Sequence, residues 1–451
     1  MKQFLALLSM IILFVFTGIA QEQPGTITLD QALNIAFERN VTVAQASNSI
    51  DNAKASELSA YGAYIPRFNA SAGYNRIGFS SPPSVRTIGG LPFNIPRTDT
   101  YYNTYGASVG LSYVLFDGFN REANLSIARS NENAAEETYG RTRQSIANSV
   151  IGAYLTVLRN EQQVKVFQQT LDNEKNRLDR IMEQNRLGAV AIGDVYRQQS
   201  TVATAEYNLI SGQNTYDKSK ADLLNLLALD VNQNYSIADP TISGQIQQVQ
   251  TDSGVQSLGT FDELYKRALG ARPDYAVAQE DVSMADAGVT QAWSTYYPSL
   301  SVNGSYSTNA QTWALASNWD NHATNVGLSL SWQLPEIFGA IRQIQSANIQ
   351  KKNAVLQLQQ KERDISVELK KALLDLEASR KQYVASQKSQ VAAEQDRKTA
   401  EAKYNLGSGT LLDLQVANTT YLNAQLTTLF NAYNYYTLKK NLDLVLGEKK
   451  Y

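Results

Sequence analysis

The sequence contains no cysteine and only one histidine, His322, among its 451 residues. The lack of cysteine excludes disulfide bonds, thiolate metal sites and a lipid-modified N-terminal cysteine. With a single histidine, neither a histidine-rich zinc site nor a Ser-His-Asp triad is expected. A glycine-rich phosphate loop and a paired-carboxylate motif are also missing. We therefore predict that the protein is not an enzyme and that it has no cofactor and no metal site.

Neither sign of charge dominates, because 40 basic side chains stand against 42 acidic ones. A nucleic-acid-binding protein would show a basic excess, so no nucleic-acid partner is predicted. Long apolar runs are also scarce. Beyond the N-terminal segment, no stretch of the sequence approaches the roughly 18 apolar residues of a transmembrane helix. If the mature protein enters a membrane, it must therefore do so as β-strands.

The N-terminal segment has the features of an export signal. Lys2 is followed by an apolar run over 4–16 and by a small-residue cleavage site that ends at Ala20. This order of a positive start, an apolar core and small residues is typical of secretory signals. We therefore predict a signal peptide over 1–20.

Proline is absent from two long stretches, 97–239 and 336–451. In the first stretch, apolar residues recur at steps of three, four and seven, the heptad spacing of helices that coil around partner helices. These heptad positions are Ile146, Val150, Ala153, Val157, Val164, Phe167, Leu171, Leu178 and Ile181. Only Asn160 and Glu174 interrupt the spacing. A helix over 120–186 would be about 100 Å long.

The second stretch repeats this spacing at Val355, Leu358, Ile365, Leu369, Ala372, Leu376 and Tyr383. Together with shorter periodic segments, the two stretches predict a mostly helical chain. Helices are predicted from Thr28 onward, over 43–64, 119–187, 192–229, 260–296, 338–406 and 411–446.

The chain contains one sequence pattern twice. Matching residues recur with a constant separation of 232 positions and later of 219. The matched pairs include Asp30 and Asp262, Ala36 and Ala268, Tyr74 and Tyr306, Gly188 and Gly407, and Asp194 and Asp413. We therefore predict two tandem repeats of one structural unit, over 21–229 and 260–447. A polar linker over 230–259 joins them, and a tail over 448–451 follows.

Each repeat contains two segments of about ten residues in which apolar and polar residues alternate. The segments cover 67–77, 107–116, 299–307 and 325–334. Such alternation is typical of transmembrane barrel strands, which face lipid on one side and water on the other. One such segment alone would fit a soluble sheet, but four in matched positions of an exported chain favour a membrane. The first repeat also has a longer loop between its strands, with prolines and glycines over 80–96.

Four strands cannot close a barrel, since about eight are the practical minimum, and lipid does not tolerate an open sheet edge. The barrel must therefore be shared between chains. Two chains would give eight strands with a filled interior, and three would give twelve with room for a pore. Aromatic residues are expected near both membrane interfaces. The candidates for this aromatic girdle are Tyr74, Tyr113, Tyr306 and Trp332.

In these respects the chain resembles the TolC family of outer-membrane efflux proteins. The resemblance rests on short motifs that are weak singly but specific in this order. They are Thr28-Leu29-Asp30-x-Ala32-Leu33, Leu115-Phe116-Asp117-Gly118, Gly188-Ala189-Val190-Ala191-Ile192-Gly193-Asp194-Val195, Arg272-Pro273-Asp274 and Tyr404-x-x-Gly407-x-x-x-x-x-Asp413. The family implies a mostly α-helical trimer whose twelve-stranded transmembrane β-barrel continues into a twelve-helix α-barrel in the periplasm.

The resemblance implies a function as an exit duct in the cell outer membrane, with a large periplasmic portion. Such a duct passively conducts substrates in tripartite efflux or type I secretion. Its partners would be two further copies of the chain, a periplasmic membrane-fusion adaptor, an inner-membrane RND or ABC pump, and outer-membrane lipid. The alternative is a coiled-coil structural protein or periplasmic adaptor without a channel, which would leave the duplicated alternating strands unexplained.

The resemblance also implies functional residues at the periplasmic tip. Turns that dock the adaptor are expected at Leu187, Gly188, Ala189 and Val190, and at Leu406, Gly407, Ser408 and Gly409. A pore gate or constriction is expected at Asp194, Asp413 and Tyr404. Each aspartate could instead stabilise the first turn of its helix, and Thr410-x-x-Asp413 is typical of a capping box. The family's gate arginine falls on Gly409 and a second pore aspartate on Val416, so its complete gate ion pairs are not expected.

Overall fold

The structure, a computed structural model, describes residues 26–239, 259–314, 322–332 and 337–447. The predicted signal peptide, most of the predicted linker and the tail lie outside these ranges. The helices are α1 (Leu29–Arg39), α2 (Val41–Gly62), α3 (Asn120–Arg186), α4 (Ile192–Leu226), α5 (Phe261–Ala271), α6 (Pro273–Ser294), α7 (Ile337–Asn405) and α8 (Leu411–Val445). The strands are β1 (Thr26–Ile27), β2 (Arg67–Ser81), β3 (Ser84–Ile88), β4 (Leu91–Ile95), β5 (Thr98–Phe116), β6 (Ser236–Ile237), β7 (Ser299–Ala310) and β8 (His322–Ser331).

The duplication is visible in the helices. Helices α1 and α5 both have 11 residues, α2 and α6 both have 22, and α4 and α8 both have 35. Helices α1 and α5 also begin with the same capping box, formed by Thr28 with Gln31 and by Thr260 with Glu263. In each box the cap hydroxyl and the third side chain accept reciprocal backbone N–H donations, which otherwise lack partners at a helix start. The same local chemistry therefore starts both copies.

One predicted helix is too long. Helix α4 ends at Leu226, whereas the prediction extended it to residue 229. Ala228 adopts a positive φ of 52°, which a right-handed helix does not accommodate. The backbone reversal at this residue therefore ends the helix before its apolar pattern runs out.

The chain forms two compact units, and neither corresponds to one repeat. The first comprises the described parts of 1–45, 140–272 and 364–451, and the second comprises 46–139 and the described parts of 273–363. Each unit thus contains segments of both repeats. The duplication describes the sequence, but it does not divide the protein into two independent domains.

The first unit is helical, with one large apolar core and two smaller apolar clusters. Among the heptad positions of α3, Val150 and Val157 lie in the large core, whereas Ile181 is buried in a separate cluster with Val195 and Leu411. Tyr154 is also buried, and its hydroxyl donates a hydrogen bond of 2.8 Å to the carbonyl of Ile27. Strand β1 pairs in parallel with β6, so the predicted linker contains a short strand. This pairing joins the start of the first repeat to the segment that follows it.

The second unit contains a four-stranded antiparallel sheet in the order β2-β5-β7-β8. Strand β5 pairs with β7, so the sheet joins the two repeats. Arg67, Ser112, Asn303 and Gly327 lie side by side across it. Strands β2 and β8 form the two edges, and a separate hairpin, β3–β4, follows β2. The unit therefore presents a continuous sheet with two open edges within the described residues.

A search of the described helices for length and hydropathy finds none suited to crossing a membrane.

A strained turn connects β5 to α3. Gly118 and Phe119 follow the strand with φ values of 71° and 70°. Arg121 lies just beyond and donates to the carbonyls of Val114 at 2.9 Å and Leu115 at 3.2 Å. Its guanidinium also forms an ion pair of 3.4 Å with Asp117. These contacts fix the angle at which the long helix leaves the strand.

Substitution of Gly118 by alanine is expected to destabilise this connection. An added Cβ would lie 2.7 Å from the carbonyl oxygen of Ser294 and 2.8 Å from Cβ of Tyr297. The left-handed conformation alone costs a non-glycine residue about 1–2 kcal/mol. We expect a lower midpoint of thermal unfolding for Gly118→Ala, measured by circular dichroism. The control is Gly73→Ala, where a Cβ meets nothing within 4 Å, and equal midpoints for the two variants would contradict the role given to Gly118.

Candidate functional site

Two similar turns connect the long helices in pairs, one in each repeat. Helices α3 and α7 end with glycines in the left-handed region, Gly188 at φ 77° and Gly407 at φ 71°. In the first turn the amide of Gly188 bonds to Asn185 at 2.9 Å and the amide of Ala189 bonds to Gln184 at 2.8 Å. The second turn repeats this pair of bonds. This arrangement is the Schellman motif, which satisfies the last carbonyls of a helix and reverses the chain.

The turns carry exposed leucines at equivalent positions. Leu187 is 67% exposed and Leu406 is 83% exposed. Of the other residues predicted at the tip, Gly188, Ala189, Gly407 and Ser408 are exposed, and Val190 and Gly409 are half-buried. The structure therefore brings the predicted tip residues together as two matched turns, each with a protruding leucine.

The two aspartates after the turns have different surroundings. Asp413 forms a capping box with Thr410 at the start of α8, and hydrogen bonds from Thr410 lower the pKa of its carboxyl group. A lowered pKa means that this contact stabilises the fold at neutral pH and is lost as the pH falls through the folded-state pKa. Asp194 receives no such cap and instead forms an ion pair of 3.6 Å with Arg197. The capping interpretation is thus confirmed for Asp413.

Tyr404 lies at the base of the second turn. Its ring packs against an apolar cluster formed by Ile181, Val195 and Leu411. Its hydroxyl is buried and has no hydrogen-bond partner among the residues that the structure describes. Burial, and secondly the charge of Asp194, raise the pKa of Tyr404, so the phenol stays neutral at physiological pH. Tyr404 therefore offers an unused hydrogen-bond donor at the tip.

Sequence reasoning missed a buried polar cluster below the turns. Glu174 and Arg177 are each 5% exposed and form an ion pair of 3.0 Å on α3. Gln198 of α4 is fully buried and donates a bond of 2.7 Å to the Glu174 carboxylate. Both partners of the ion pair are therefore removed from water, and the carboxylate is held from two helices.

Helix α8 joins this cluster from the second repeat. The amide nitrogen of Gln415 donates to the Thr201 hydroxyl at 2.9 Å and to Gln198 Oε1 at 3.4 Å. Asn418 contacts Glu174 Oε1 at 3.4 Å; with its amide reversed, its oxygen accepts instead from the Arg177 guanidinium. In both orientations Asn418 connects α8 to the ion pair. The cluster thus links three helices through charged and amide groups.

The sequence did contain a signal for this cluster. Glu174 was one of the two residues that interrupt the heptad spacing of α3. In the second repeat, the positions 219 residues after Glu174 and Gln198 are Ala393 and Ala417, both buried. The matching contact is therefore filled by small apolar residues. A polar pair that interrupts the heptad spacing and lacks a polar counterpart in the other repeat indicates a contact that only one of the two repeats makes.

On the sheet, the four girdle candidates lie on the apolar face. Tyr74 pairs with Tyr105, their ring centroids 5.0 Å apart, and Tyr105 meets the ring of Trp313 at 6.1 Å. Tyr306 is exposed on β7, and Tyr113 pairs with Val302. Trp332 follows β8 directly and is 58% exposed. The apolar face thus carries aromatic side chains toward both of its ends.

A metal site is not apparent in the described part of the chain, where no three or more His, Cys, Asp or Glu side chains are grouped suitably.

Removal of Glu174 tests the buried cluster. In Glu174→Ala the Arg177 guanidinium would remain buried without its carboxylate, and loss of one partner of a buried pair typically costs about 3–5 kcal/mol. We expect a clearly lower midpoint of thermal unfolding for the detergent-solubilised protein. The control is Glu183→Ala, which removes an exposed ion pair of the same spacing on the same helix and should leave the midpoint unchanged. If both variants behave alike, the buried cluster does not contribute to stability.

Comparison with known proteins identifies the family. The model of the family described as "Outer membrane efflux protein" matches residues 32–229 and 264–448. Outer membrane protein TolC of Escherichia coli is 24% identical over 361 residues, covering 76% of this chain and 70% of that protein. The pyoverdine export outer membrane protein OpmQ of Pseudomonas aeruginosa is 23% identical over 405 residues, covering 89% of this chain and 81% of that protein.

Solved structures of outer-membrane channels share the fold. The chain matches crystal structures of CusC with a TM-score of 0.79 at 17% identity, covering 93% of this chain and 91% of that one. The Campylobacter jejuni CmeC outer membrane channel matches with a TM-score of 0.76 at 18% identity, covering 93% and 85%. The match of the family model extends over most of both repeats. The chain therefore belongs to the outer membrane efflux protein family and is an efflux channel of the outer membrane.

Proposed function

We propose that three copies of this chain form one duct, in which their sheets close a twelve-stranded barrel and their long helices form a twelve-helix α-barrel. The observation that carries this proposal is the amphipathic sheet with two open edges, β2 and β8. Unpaired backbone groups in lipid are strongly unfavourable. Pairing of β8 of one copy with β2 of the next would satisfy both edges.

The two faces of the sheet fit this arrangement. One face carries apolar residues such as Phe68, Val109, Val302 and Leu328, and the other carries small polar residues. A barrel closed from these sheets would place the apolar face toward lipid and the polar face toward a water-filled lumen. Eight strands would leave an interior filled by side chains, whereas twelve would leave room for transport. Three copies are therefore the smallest number that makes a pore.

Three of the four girdle candidates would anchor the barrel at the membrane interfaces, whereas Tyr306, opposite Val109, would lie midway between these interfaces. On β5, Tyr113 and Tyr105 lie on the same face, eight residues apart, which is about 26 Å along a strand. Because barrel strands are tilted by about 35–45°, this length spans about 20 Å across the membrane, within the apolar height of about 25 Å in outer-membrane barrels. Tyr74 would support the outer interface beside Tyr105, and Trp332 would support the interface next to the helices. The amphipathic rings would then hold the depth of the sheet in the bilayer.

A charge on the lipid face tests the barrel. Leu328 is 68% exposed on the apolar face of β8, and a lipid-facing arginine costs up to about 2–4 kcal/mol, with a smaller cost closer to an interface. We expect Leu328→Arg to lower the yield of detergent-extracted trimer, measured as protein mass by light scattering. The control is Ser329→Arg, which places the same charge on the polar face. Equal trimer yields for both variants would contradict the assignment of the faces, and a monomeric wild-type chain would contradict the shared barrel.

At the other end, the two turns would form the periplasmic tip that docks a membrane-fusion adaptor. The exposed leucines Leu187 and Leu406 support this role, because a protruding apolar side chain is stabilised by burial in a partner. The adaptor would connect the duct to an inner-membrane pump of the RND or ABC type. Transport energy would come from that pump, and the duct would conduct passively in tripartite efflux or type I secretion.

The residues around Tyr404 would form the gate. Three copies would bring Asp194, Asp413 and the free Tyr404 hydroxyl of each chain close to the pore axis, where the carboxylates would favour cations. Gly409 and Val416 leave no ion pair between the tip helices at the positions where the family pattern has an arginine and an aspartate. The buried cluster around Glu174 supports a different restraint, in which hydrogen bonds from side-chain amides hold α8 against α3 and α4 while the tip is closed.

Charge at the turns tests adaptor docking. Leu406→Asp replaces an exposed apolar contact by a carboxylate, and we expect it to reduce co-purification of the adaptor at least severalfold and to impair efflux. Trimer mass should not change, because the residue is exposed and outside the core. The control is Gln184→Asp, which adds the same charge on the exposed surface of α3 three residues before Leu187. Normal adaptor binding by Leu406→Asp and by Leu187→Asp would overturn the tip assignment.

A further inference from the structure

The ribbon formed by β2 and β5 extends past the four-stranded sheet, at the end remote from the helices. Pairing of β5 with β7 ends at Tyr105 and Ala310, but β2 and β5 stay paired as far as Ser81 and Thr98. The two strands therefore continue alone for about 20 Å. A two-stranded ribbon in water is marginally stable at best. A ribbon of this length consequently needs a surface to pack against.

One face of this ribbon changes character along its length. Within the four-stranded sheet it carries Asn69, Ser71 and Asn75 on β2, and Thr104, Ser108 and Ser112 on β5. Beyond Asn75 the same face carries Ile77, Phe79 and Tyr102, and the rings of Phe79 and Tyr102 stack with centroids 5.7 Å apart. Phe79 is nevertheless 56% exposed. The face that is polar inside the sheet therefore becomes apolar outside it.

The opposite face of the ribbon changes in the other direction. Arg76 and Tyr101 lie there, with the guanidinium 5.3 Å from the ring centroid, and Gly78 lies beside them. Below these rows the same face carries Phe68, Ala70 and Ala72, which are apolar. The two faces thus exchange character at the level of Asn75. Continuation of a lipid-facing strand would not produce this exchange.

The β3–β4 hairpin at the end of the ribbon adds a second apolar surface. Its turn contains Gly89 and Gly90, both with positive φ, which matches the tight turns of two-residue hairpins. The large apolar side chains Ile88, Leu91, Phe93 and Ile95 alternate onto one face beside Arg86. All four are exposed in the single chain. Apolar side chains in this number on a surface hairpin indicate a buried contact in the assembled protein.

We propose that the ribbons and hairpins of the three copies pack against one another and narrow the outer mouth of the duct. This inference rests on the proposed trimeric barrel, in which the polar face of the sheet lines the lumen. The face with Ile77 and Phe79 is continuous with that lining, so it points away from lipid and toward the axis. The protein surface on that side belongs to the other two copies. The occupant of the apolar surface is therefore the same surface of a second copy.

The described part of the second repeat does not supply an equivalent ribbon. The positions 232 residues after Ile77 and Phe79 are Asn309 and Gln311, which are polar. Strand β7 ends at Ala310, so no matching extension of β7 occurs among the residues that the structure describes. The contact would therefore involve three ribbons, one from each chain. The longer loop of the first repeat would then serve to form this contact between chains.

Cross-linking tests this contact directly, because the chain has no native cysteine. Phe79→Cys, expressed in the outer membrane of intact cells and treated with a short bis-maleimide, should yield covalent dimers in high proportion. One cysteine per chain joins chains only in pairs, so dimers are the expected product. The matched control is Tyr101→Cys, on the opposite face of the same ribbon, which should yield few dimers. Equal yields from both variants, or none from Phe79→Cys, would overturn the proposal.

Accessibility gives a second measurement. Ser305→Cys places a thiol on the polar face of β7, inside the proposed lumen. A bulky external maleimide should label it slowly, and Ile77→Ser together with Phe79→Ser should raise the labelling rate at least severalfold. An unchanged rate would overturn the closure of the mouth.

Light scattering on the same samples separates this inference from the proposed function. Trimers without Phe79→Cys dimers would overturn the ribbon contact alone. Absence of trimers would overturn the shared barrel as well. Phe79→Cys chains that form trimers and co-purify with lipid, react only slowly with a water-soluble maleimide and give no dimers would show that lipid covers the surface and would also overturn the inference.

Discussion

In the proposed barrel, the requirement that backbone groups in lipid be paired governs the arrangement of the rest of the structure. The protein belongs to an outer-membrane family, yet its sheet has only four strands, and β2 and β8 each pair on one side within the described residues. In the proposed trimer, neighbouring chains supply the missing partners in a way that fits the amphipathic faces of the sheet. If each chain meets its neighbours through these edges, the long helices that leave the sheet are brought together as well. The strained junction at Gly118 sets the direction in which one of them leaves.

The two repeats share a scaffold and differ where asymmetry matters. Their short helices and capping boxes are matched residue for residue, because these features depend on local chemistry. Below the tip, the first repeat buries Glu174 and Gln198 where the second buries Ala393 and Ala417. A contact made of side-chain hydrogen bonds and an ion pair is sensitive to geometry, since each of these interactions is lost when the helices shift. An alanine contact tolerates sliding. The polar contact is therefore suited to helices that take up one of two arrangements, closed or open.

The sequence by itself determined the elements and their faces. Heptad spacing fixed the buried side of α3 at Val150, Val157 and Ile181, because the 3.5-residue period leaves one stripe on a helix. Alternation fixed the apolar face of each strand, because successive side chains point to opposite sides. Thr28 and Gly188 marked a helix start and a helix end, since both act through bonds to the nearest backbone. All of these are local, and a single sequence suffices to predict them.

Contacts between distant segments were decided only by the tertiary structure. The order β2-β5-β7-β8 depends on β5 pairing with β7 of the other repeat, and strand alternation does not specify a neighbour. The sequence showed Glu174 as an interruption of the heptad spacing of α3, but its partners Gln198 and Asn418 come from two other helices. Similarly, the role proposed for Ile77 and Phe79 depends on the strand register, which places Ile77 opposite Tyr102 and both residues beyond the end of β7. A sequence encodes which face of an element is apolar, whereas the packing of elements decides what that face meets.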